Sequence, residues 1–177
     1  KRGISVSAEA VKQGMSAVSW PARFETLLKN PLTIYDGAHN MAGMTVAVES
    51  IRTYFKGETV NIFMGVMADK EYDAMVDMLK PYTEAVYTVT PNNPRALPAI
   101  KLADCFKKHG VEKARHFDTL REAALCALQD SVKTGKPLVA LGTLYMYEEA
   151  ERTFRQCAAE LGLDEGSLPV QEPTDGR

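Results

Sequence analysis

Cysteine is scarce in this sequence: Cys105, Cys126 and Cys157 are an odd number, widely spaced, and none belongs to a CxxC pair. That pattern suits neither a disulfide framework nor a local thiolate metal clip, and it points to reduced thiols in a cytoplasmic protein. Charge of one sign is lacking too. With 21 basic against 23 acidic residues the formal net charge is −2, so no basic field invites nucleic acid. No apolar run approaches the roughly 20 residues that a membrane helix needs. The basic start Lys1-Arg2 has no apolar signal core behind it. No internal repeat is present, and no Gly-x-x-x-x-Gly-Lys-Ser/Thr, so the chain has no phosphate-cradling loop of the usual kind.

What is present is enough chain for one α/β domain with a real core: 177 residues, 45% hydrophobic and 25% charged. Apolar runs and helical periodicities alternate along it. Ser7 to Ala17 reads as a short helix with Ser7 as N-cap. Arg23–Lys29 reads as a strand ending at the turn signal Asn30-Pro31, and Leu32–Tyr35 as the next strand, with Asp36 at its end. Asn40 to Phe55 carries Met44, Val48, Ile51 and Phe55 at helical spacing, closed by Gly57. Further strands are expected at Val60–Gly65, Ala85–Val89, Ala114–Phe117 and Pro137–Gly142. Helices are expected at Lys70–Lys80, Pro98–His109, Thr119 to about Lys133, and Leu144–Leu161. Thr119 and Glu122 form a capping box.

Strands alternating with helices imply a Rossmann-like three-layer α/β sandwich of about six strands with helices on both faces. Five strands should be parallel. Arg23–Lys29 should be the antiparallel one, because its connection to the next strand is too short for a parallel crossover.

Ligands in such sheets bind outside the carboxyl ends of the parallel strands. The polar residues expected there are Asp36–Asn40, Met67–Lys70, Thr90–Arg95, Asp118-Thr119 and Gly142–Tyr145. Asp36-Gly37-Ala38-His39-Asn40 is the richest of these. Asn40 can cap the following helix, whose free N–H groups favour an anion such as phosphate. His39 can donate to a phosphate oxygen, and Asp36 suits ribose hydroxyls, a cation or an arginine. On spacing alone, the same residues serve equally as a turn and a helix cap.

Trp20-Pro21-Ala22-Arg23-Phe24-Glu25, about ten residues, then Asp36-Gly37-Ala38-His39-Asn40 resembles the junction of central and carboxyl-terminal domains in folylpolyglutamate and dihydrofolate synthases of the Mur-ligase family. The likeness continues through Gly65-Val66-Met67-Ala68-Asp69-Lys70-Glu71, Thr90-Pro91-Asn92-Asn93-Pro94-Arg95-Ala96 and Leu141-Gly142-Thr143-Leu144-Tyr145, in family order, over roughly residues 15 to 155. Ala22 stands where glycine is common, and Thr143 where serine is frequent.

The resemblance implies an ATP-dependent ligase. Such enzymes phosphorylate the γ-carboxylate of a folate, and the amine of an incoming glutamate attacks the acyl phosphate. Carried over, Arg23, Asp36, His39 and Asn40 contact ATP, with His39 as the catalytic candidate, while Lys70, Thr143 and Arg95 contact the incoming amino acid. Lys70 and Thr143 can instead be plain helix-start residues, and Arg95 can simply hold its own loop. Magnesium ligands and most folate contacts are expected in an amino-terminal ATPase domain, which is the implied partner alongside folate and glutamate.

No metal site is expected in this chain, and His109 and His116 read as structural or exposed without metal-like partners. Residues 1–18 are expected to be the end of the central domain and 19–162 the carboxyl-terminal domain, with 163–177 a flexible tail. A monomer is expected that ligates nothing when alone. Two other readings fit the same motifs: a free-standing α/β binding module, or a Mur-type ligase domain with another acceptor.

Overall fold

The computed structural model describes residues 6–16, 18 and 20–163. Six strands form one sheet in the order β1-β2-β6-β3-β4-β5: β1 (Glu25–Lys29), β2 (Leu32–Asp36), β3 (Val60–Met64), β4 (Thr83–Thr88), β5 (Ala114–His116) and β6 (Leu138–Leu141). Only the β1–β2 pair is antiparallel; β2–β6, β6–β3, β3–β4 and β4–β5 are all parallel. The α/β sandwich and its single antiparallel hairpin are thus as expected from the connection lengths. The expected flexible tail lies, apart from Leu163, outside the described residues.

The helices are α1 (Ala8–Ser16), α2 (Met41–Tyr54), α3 (Tyr72–Leu79), α4 (Ala99–Lys108), α5 (Leu120–Thr134) and α6 (Tyr147–Glu160). Their burial follows the two-residue period of the strands. Ile62 and Met64 of β3, Val86 of β4, and Val139 and Leu141 of β6 join Met44, Ile51, Val76, Leu102 and Phe106 of α2, α3 and α4 in one core. The intervening Phe63, Tyr87, Leu138 and Ala140 join Ala124, Leu128, Phe154 and Cys157 of α5 and α6 in the other. Strands buried on both faces need the near-continuous apolar runs that the sequence supplies.

Several helix ends follow from local chemistry. Ser7 Oγ accepts the Ala10 N–H at 3.1 Å, and Thr119 Oγ1 accepts the Glu122 N–H at 3.2 Å. Some expected boundaries move. The last helix opens with a 3₁₀ turn at Leu144–Met146. The third opens at Tyr72, two residues after Lys70, which lies in a turn whose N–H donates to Met67 O at 3.2 Å. That helix also runs on through Pro81 as a 3₁₀ turn, Lys80–Tyr82. Proline is tolerated there because it sits in the first positions of the turn, where its missing N–H has no partner to lose.

Candidate functional site

After β2 the chain crosses on α2 to β3, while β6 returns last to lie between them. The carboxyl ends of β2, β6 and β3 therefore open onto one crevice, the switch point at which open α/β sheets take ligands. The two motifs singled out in the sequence meet there and are hydrogen-bonded to each other. Gly37 N donates to Ala22 O at 2.7 Å. Asp36 Oδ2 accepts the Phe24 N–H at 2.9 Å and Oδ1 accepts the Ala38 N–H at 2.8 Å.

Arg23 is not in a strand, as the sequence suggests, but in the loop before β1. Ala22 and Phe24 on either side of it have φ of 58° and 43°, left-handed values that no strand contains and that cost an L-residue about 1–2 kcal/mol each. The loop is held against that cost by Glu25, whose Oε2 accepts both Ala22 N–H at 2.7 Å and Tyr147 O–H at 2.9 Å. The positive φ of Ala22 is also the physical reason glycine suits that position.

Arg23, Asp36, His39 and Asn40 line one cavity of about 470 Å³ with Phe24, Ser50 and Leu144. Asn40 is the N-cap of α2, its Oδ1 accepting Gly43 N–H at 2.8 Å. His39 Nδ1 lies 2.8 Å from Gly37 O. A carbonyl can only accept, so this contact places a proton on Nδ1 and leaves Nε2 for the cavity. Through Nε2 the ring accepts a proton when neutral and donates to an anion when doubly protonated. Burial raises the Asp36 carboxyl above the usual aspartate range, against the pull of the Ala38 and Phe24 N–H groups and the Arg23 charge.

Lys70, Arg95 and Thr143 line a second cavity of about 340 Å³ with His39, Met67, Leu144 and Tyr145. His39 and Leu144 belong to both, so they form the partition between them. Arg95 reaches Asp69 at 3.5 Å, and Lys70 stands 3.9 Å from the same carboxylate. The Arg95 guanidinium also lies 6.0 Å from the Tyr145 ring centre. Its ion pair joins the loop after β4 to the loop after β3, not the turns of its own loop to each other. Thr143 is buried, with Oγ1 accepting Tyr145 N–H at 3.2 Å and its carbonyl accepting Tyr35 O–H at 2.7 Å.

The sequence places Met67 and Leu144 inside the expected rim segments without giving either a role as wall, and it gives no sign of Ser50. The signal for Leu144 was Gly37: a β-carbon there would collide with the Leu144 side chain. His109 is structural, as the sequence suggests, but it does have side chains of metal-ligand type beside it. Its ring nitrogens each stand 3.2 Å from a carboxylate, Nδ1 from Asp77 and Nε2 from Asp73.

Comparison with known proteins gives this chain a lineage. The Mur ligase, glutamate ligase domain family matches residues 22–144. The chain belongs to that family. Among curated relatives, the folylpolyglutamate synthase of Lacticaseibacillus casei is 32% identical over 150 residues, which is 84% of this chain and 33% of that protein. Mycobacterium tuberculosis folylpolyglutamate synthase, solved with ADP and AMPPCP, superposes with a TM-score of 0.74 at 26% identity, over 84% of this chain and 35% of that one. A bifunctional folylpolyglutamate synthase/dihydrofolate synthase solved with Mn, AMPPNP and L-glutamate gives a TM-score of 0.65 at 26% identity, over 90% of this chain and 36% of that one. The chain thus spans about a third of the length of these relatives. The two solved structures share the fold of this chain, a mixed six-stranded sheet between helices.

Proposed function

We propose that this chain is the carboxyl-terminal domain of an ATP-dependent ligase that adds glutamate to the γ-carboxylate of folates through an acyl phosphate. The observation that carries the reading is the pair of adjoining cavities divided by His39 and Leu144. A phosphoryl donor and an incoming amino acid must approach one reacting carboxylate from two sides, and two cavities with a common wall provide that arrangement. The family, and relatives solved with nucleotide and with L-glutamate, support it.

In the first cavity Arg23 supplies a permanent cation for phosphate oxygens, joined by His39 Nε2 and the amino terminus of α2 that Asn40 caps. Asp36 acts chiefly by fixing the loop that presents Arg23. In the second cavity Lys70 and Arg95 supply cations for the carboxylates of the amino acid, while the Thr143 hydroxyl adds a polar contact. Magnesium does not fit this chain's own residues in the first cavity. Asp36 is its single carboxylate, and both of its oxygens already accept backbone N–H groups, so the metal would be held by the amino-terminal ATPase domain. That domain is the partner proposed for the exposed rim, where Val46 is 66% and Tyr54 57% exposed. Residues 1–18 would then close the central domain and 19–162 form the carboxyl-terminal one, in a cytoplasmic monomer. Among the described residues no helix is long and apolar enough to cross a membrane.

The test is ATP- and glutamate-dependent extension of reduced folates by the protein joined to its amino-terminal domain. Arg23→Ala should lower kcat/KM for ATP by roughly 10–100-fold, the loss of one charge-assisted contact. Wild-type turnover at sub-saturating ATP in Arg23→Ala would sink the assignment. Ligation of a different amino acid to a different acceptor would keep the family and discard the folate.

A further inference from the structure

Asp73, Asp77, Cys105 and His109 line neither cavity at the rim, and the ligase reading leaves them without a task. Asp73 and Asp77 stand four residues apart on α3. Cys105 of α4 and its cap residue His109 are likewise four apart. That spacing sets each pair on one face of its helix. The two helices turn those faces toward each other: His109 Nε2 and Cys105 Sγ approach the same oxygen, Asp73 Oδ1, at 3.2 Å and 3.4 Å. The candidate ligand atoms of Asp73, Cys105 and His109 all lie within 4.8 Å of one another. Around a tetrahedral zinc ion with bonds of about 2.0–2.3 Å, ligand atoms stand roughly 3.3–3.8 Å apart. The three atoms therefore sit within a small contraction of a coordination shell.

The fourth residue supplies what a histidine ligand needs. His109 Nδ1 lies 3.2 Å from Asp77 Oδ1, the carboxylate–histidine contact that fixes which nitrogen faces a metal. Cys105 is 8% exposed, held against Asp73 at the edge of the core, while Asp73 keeps 63% of its side chain in water. The site therefore has a dry side and an open side.

We propose that Asp73 Oδ1, Cys105 Sγ and His109 Nε2 bind a borderline divalent cation of the zinc type, with Asp77 as the positioning residue and water in the fourth place. Sulfur and imidazole ligands favour zinc-like ions over magnesium or calcium. With Nδ1–H donating to Asp77, Nε2 presents its lone pair to the ion. Metal binding displaces the proton of the Cys105 thiol to the solvent, while Nδ1–H keeps its bond to Asp77. A thiolate and a carboxylate neutralise the divalent charge. The bound ion would clamp α3 to α4 on the face of the domain that carries α2, independently of any ligase activity.

The probe is Co²⁺, titrated into the chain and competed with Zn²⁺. One equivalent should bind with a thiolate-to-cobalt charge-transfer band and tetrahedral d–d absorption, and Zn²⁺ should displace it and raise the thermal midpoint. Cys105→Ser should abolish the charge-transfer band. Asp77→Asn should weaken binding roughly 10–100-fold and leave the band in place. Asp73→Asn, at an exposed position where folding is not at risk, should weaken binding at least tenfold and remove the Zn²⁺-dependent rise in midpoint. Absence of a charge-transfer band in the wild-type chain, or wild-type affinity in Asp73→Asn, would overturn the proposal.

Discussion

The carboxylate of Asp36 accepts the backbone N–H of Phe24 at 2.9 Å, so the last residue of β2 fixes the loop that carries Arg23. Its other oxygen accepts Ala38 N–H at 2.8 Å. Replacing one oxygen by an amide turns one of those acceptors into a donor facing a donor. Asp36→Asn should therefore lower stability by about 1–3 kcal/mol, the cost of stranding one partly buried N–H, read as a shift in urea midpoint. If the variant were as stable as wild type, Asp36 would not be the anchor of the Arg23 loop. Because burial raises the Asp36 pKa, its carboxyl contributes stability that is lost as pH rises through the folded value. The amide should remove that component.

Asp130 works with the opposite sign. It accepts the Tyr87 O–H at 2.7 Å and pairs with Arg115, whose guanidinium lies 4.8 Å from the Tyr87 ring centre. Burial pushes its carboxyl up, but the bonds from Tyr87 and Arg115 and the Arg115 charge together outweigh this and hold it below the usual aspartate range. A depressed folded pKa stabilises above the unfolded value of about 3.9 and is lost as pH falls through the folded one. Denaturation midpoints measured from about pH 6 down to about pH 2 should fall more steeply for wild type than for Asp130→Asn in the acid part of that window.

Gly142 follows β6 with φ of 113°, and a β-carbon there would run into the carbonyl oxygen of Gly65, the residue after β3. Neither backbone can yield without breaking the sheet at the crevice. Gly142→Ala should cost roughly 2–4 kcal/mol, strain and overlap combined. Gly135 is the control, with φ of 69° and open space around it. There alanine meets only the left-handed penalty of about 1–2 kcal/mol. Equal losses in the two variants would show that the Gly65–Gly142 contact is not tight in solution.

Much of this fold was legible because its determinants are local. Val60–Met64 and Leu138–Leu141 are apolar runs on both faces, Thr119 and Asn40 cap the helices they precede, and the few residues between Lys29 and Leu32 admit only a hairpin. The candidate site was half legible for the opposite reason. Ala22 and Phe24 take left-handed conformations that neither residue type signals, because Glu25 and Asp36 impose them from outside. The Lys70 turn stays out of α3 because it is tied across the rim: Ala68 N donates to Arg95 O at 2.8 Å. The His109 cluster joins side chains more than thirty residues apart, and no spacing rule covers a contact made by two helices packing on a sheet.

Lys70 and Arg95 flank Asp69 in exposed ion pairs of 3.9 Å and 3.5 Å. Such pairs contribute little to stability, roughly 0–1 kcal/mol, so these cations are free to serve a ligand. Arg95→Ala in the protein joined to its amino-terminal domain should leave the urea midpoint nearly unchanged and raise KM for glutamate by roughly 10–100-fold. A large loss of stability with unchanged KM would make Arg95 a loop clamp instead.

Asn40 has two proposed tasks that one substitution separates. As N-cap it accepts Gly43 N–H at 2.8 Å, and it also lines the larger cavity. Aspartate caps a helix as well as asparagine does, and its charge suits the amino-terminal end of the dipole. Asn40→Asp should therefore keep the stability of α2, whereas Asn40→Ala should lose about 1 kcal/mol. Toward a nucleotide the order reverses. A carboxylate in that cavity repels phosphate oxygens, so Asn40→Asp should bind ATP at least about tenfold more weakly than wild type, and more weakly than Asn40→Ala. Urea denaturation and nucleotide titration of the two variants read the two tasks separately. Unchanged nucleotide affinity in Asn40→Asp would mean that the phosphates do not approach the amino terminus of α2, leaving Asn40 as a cap alone.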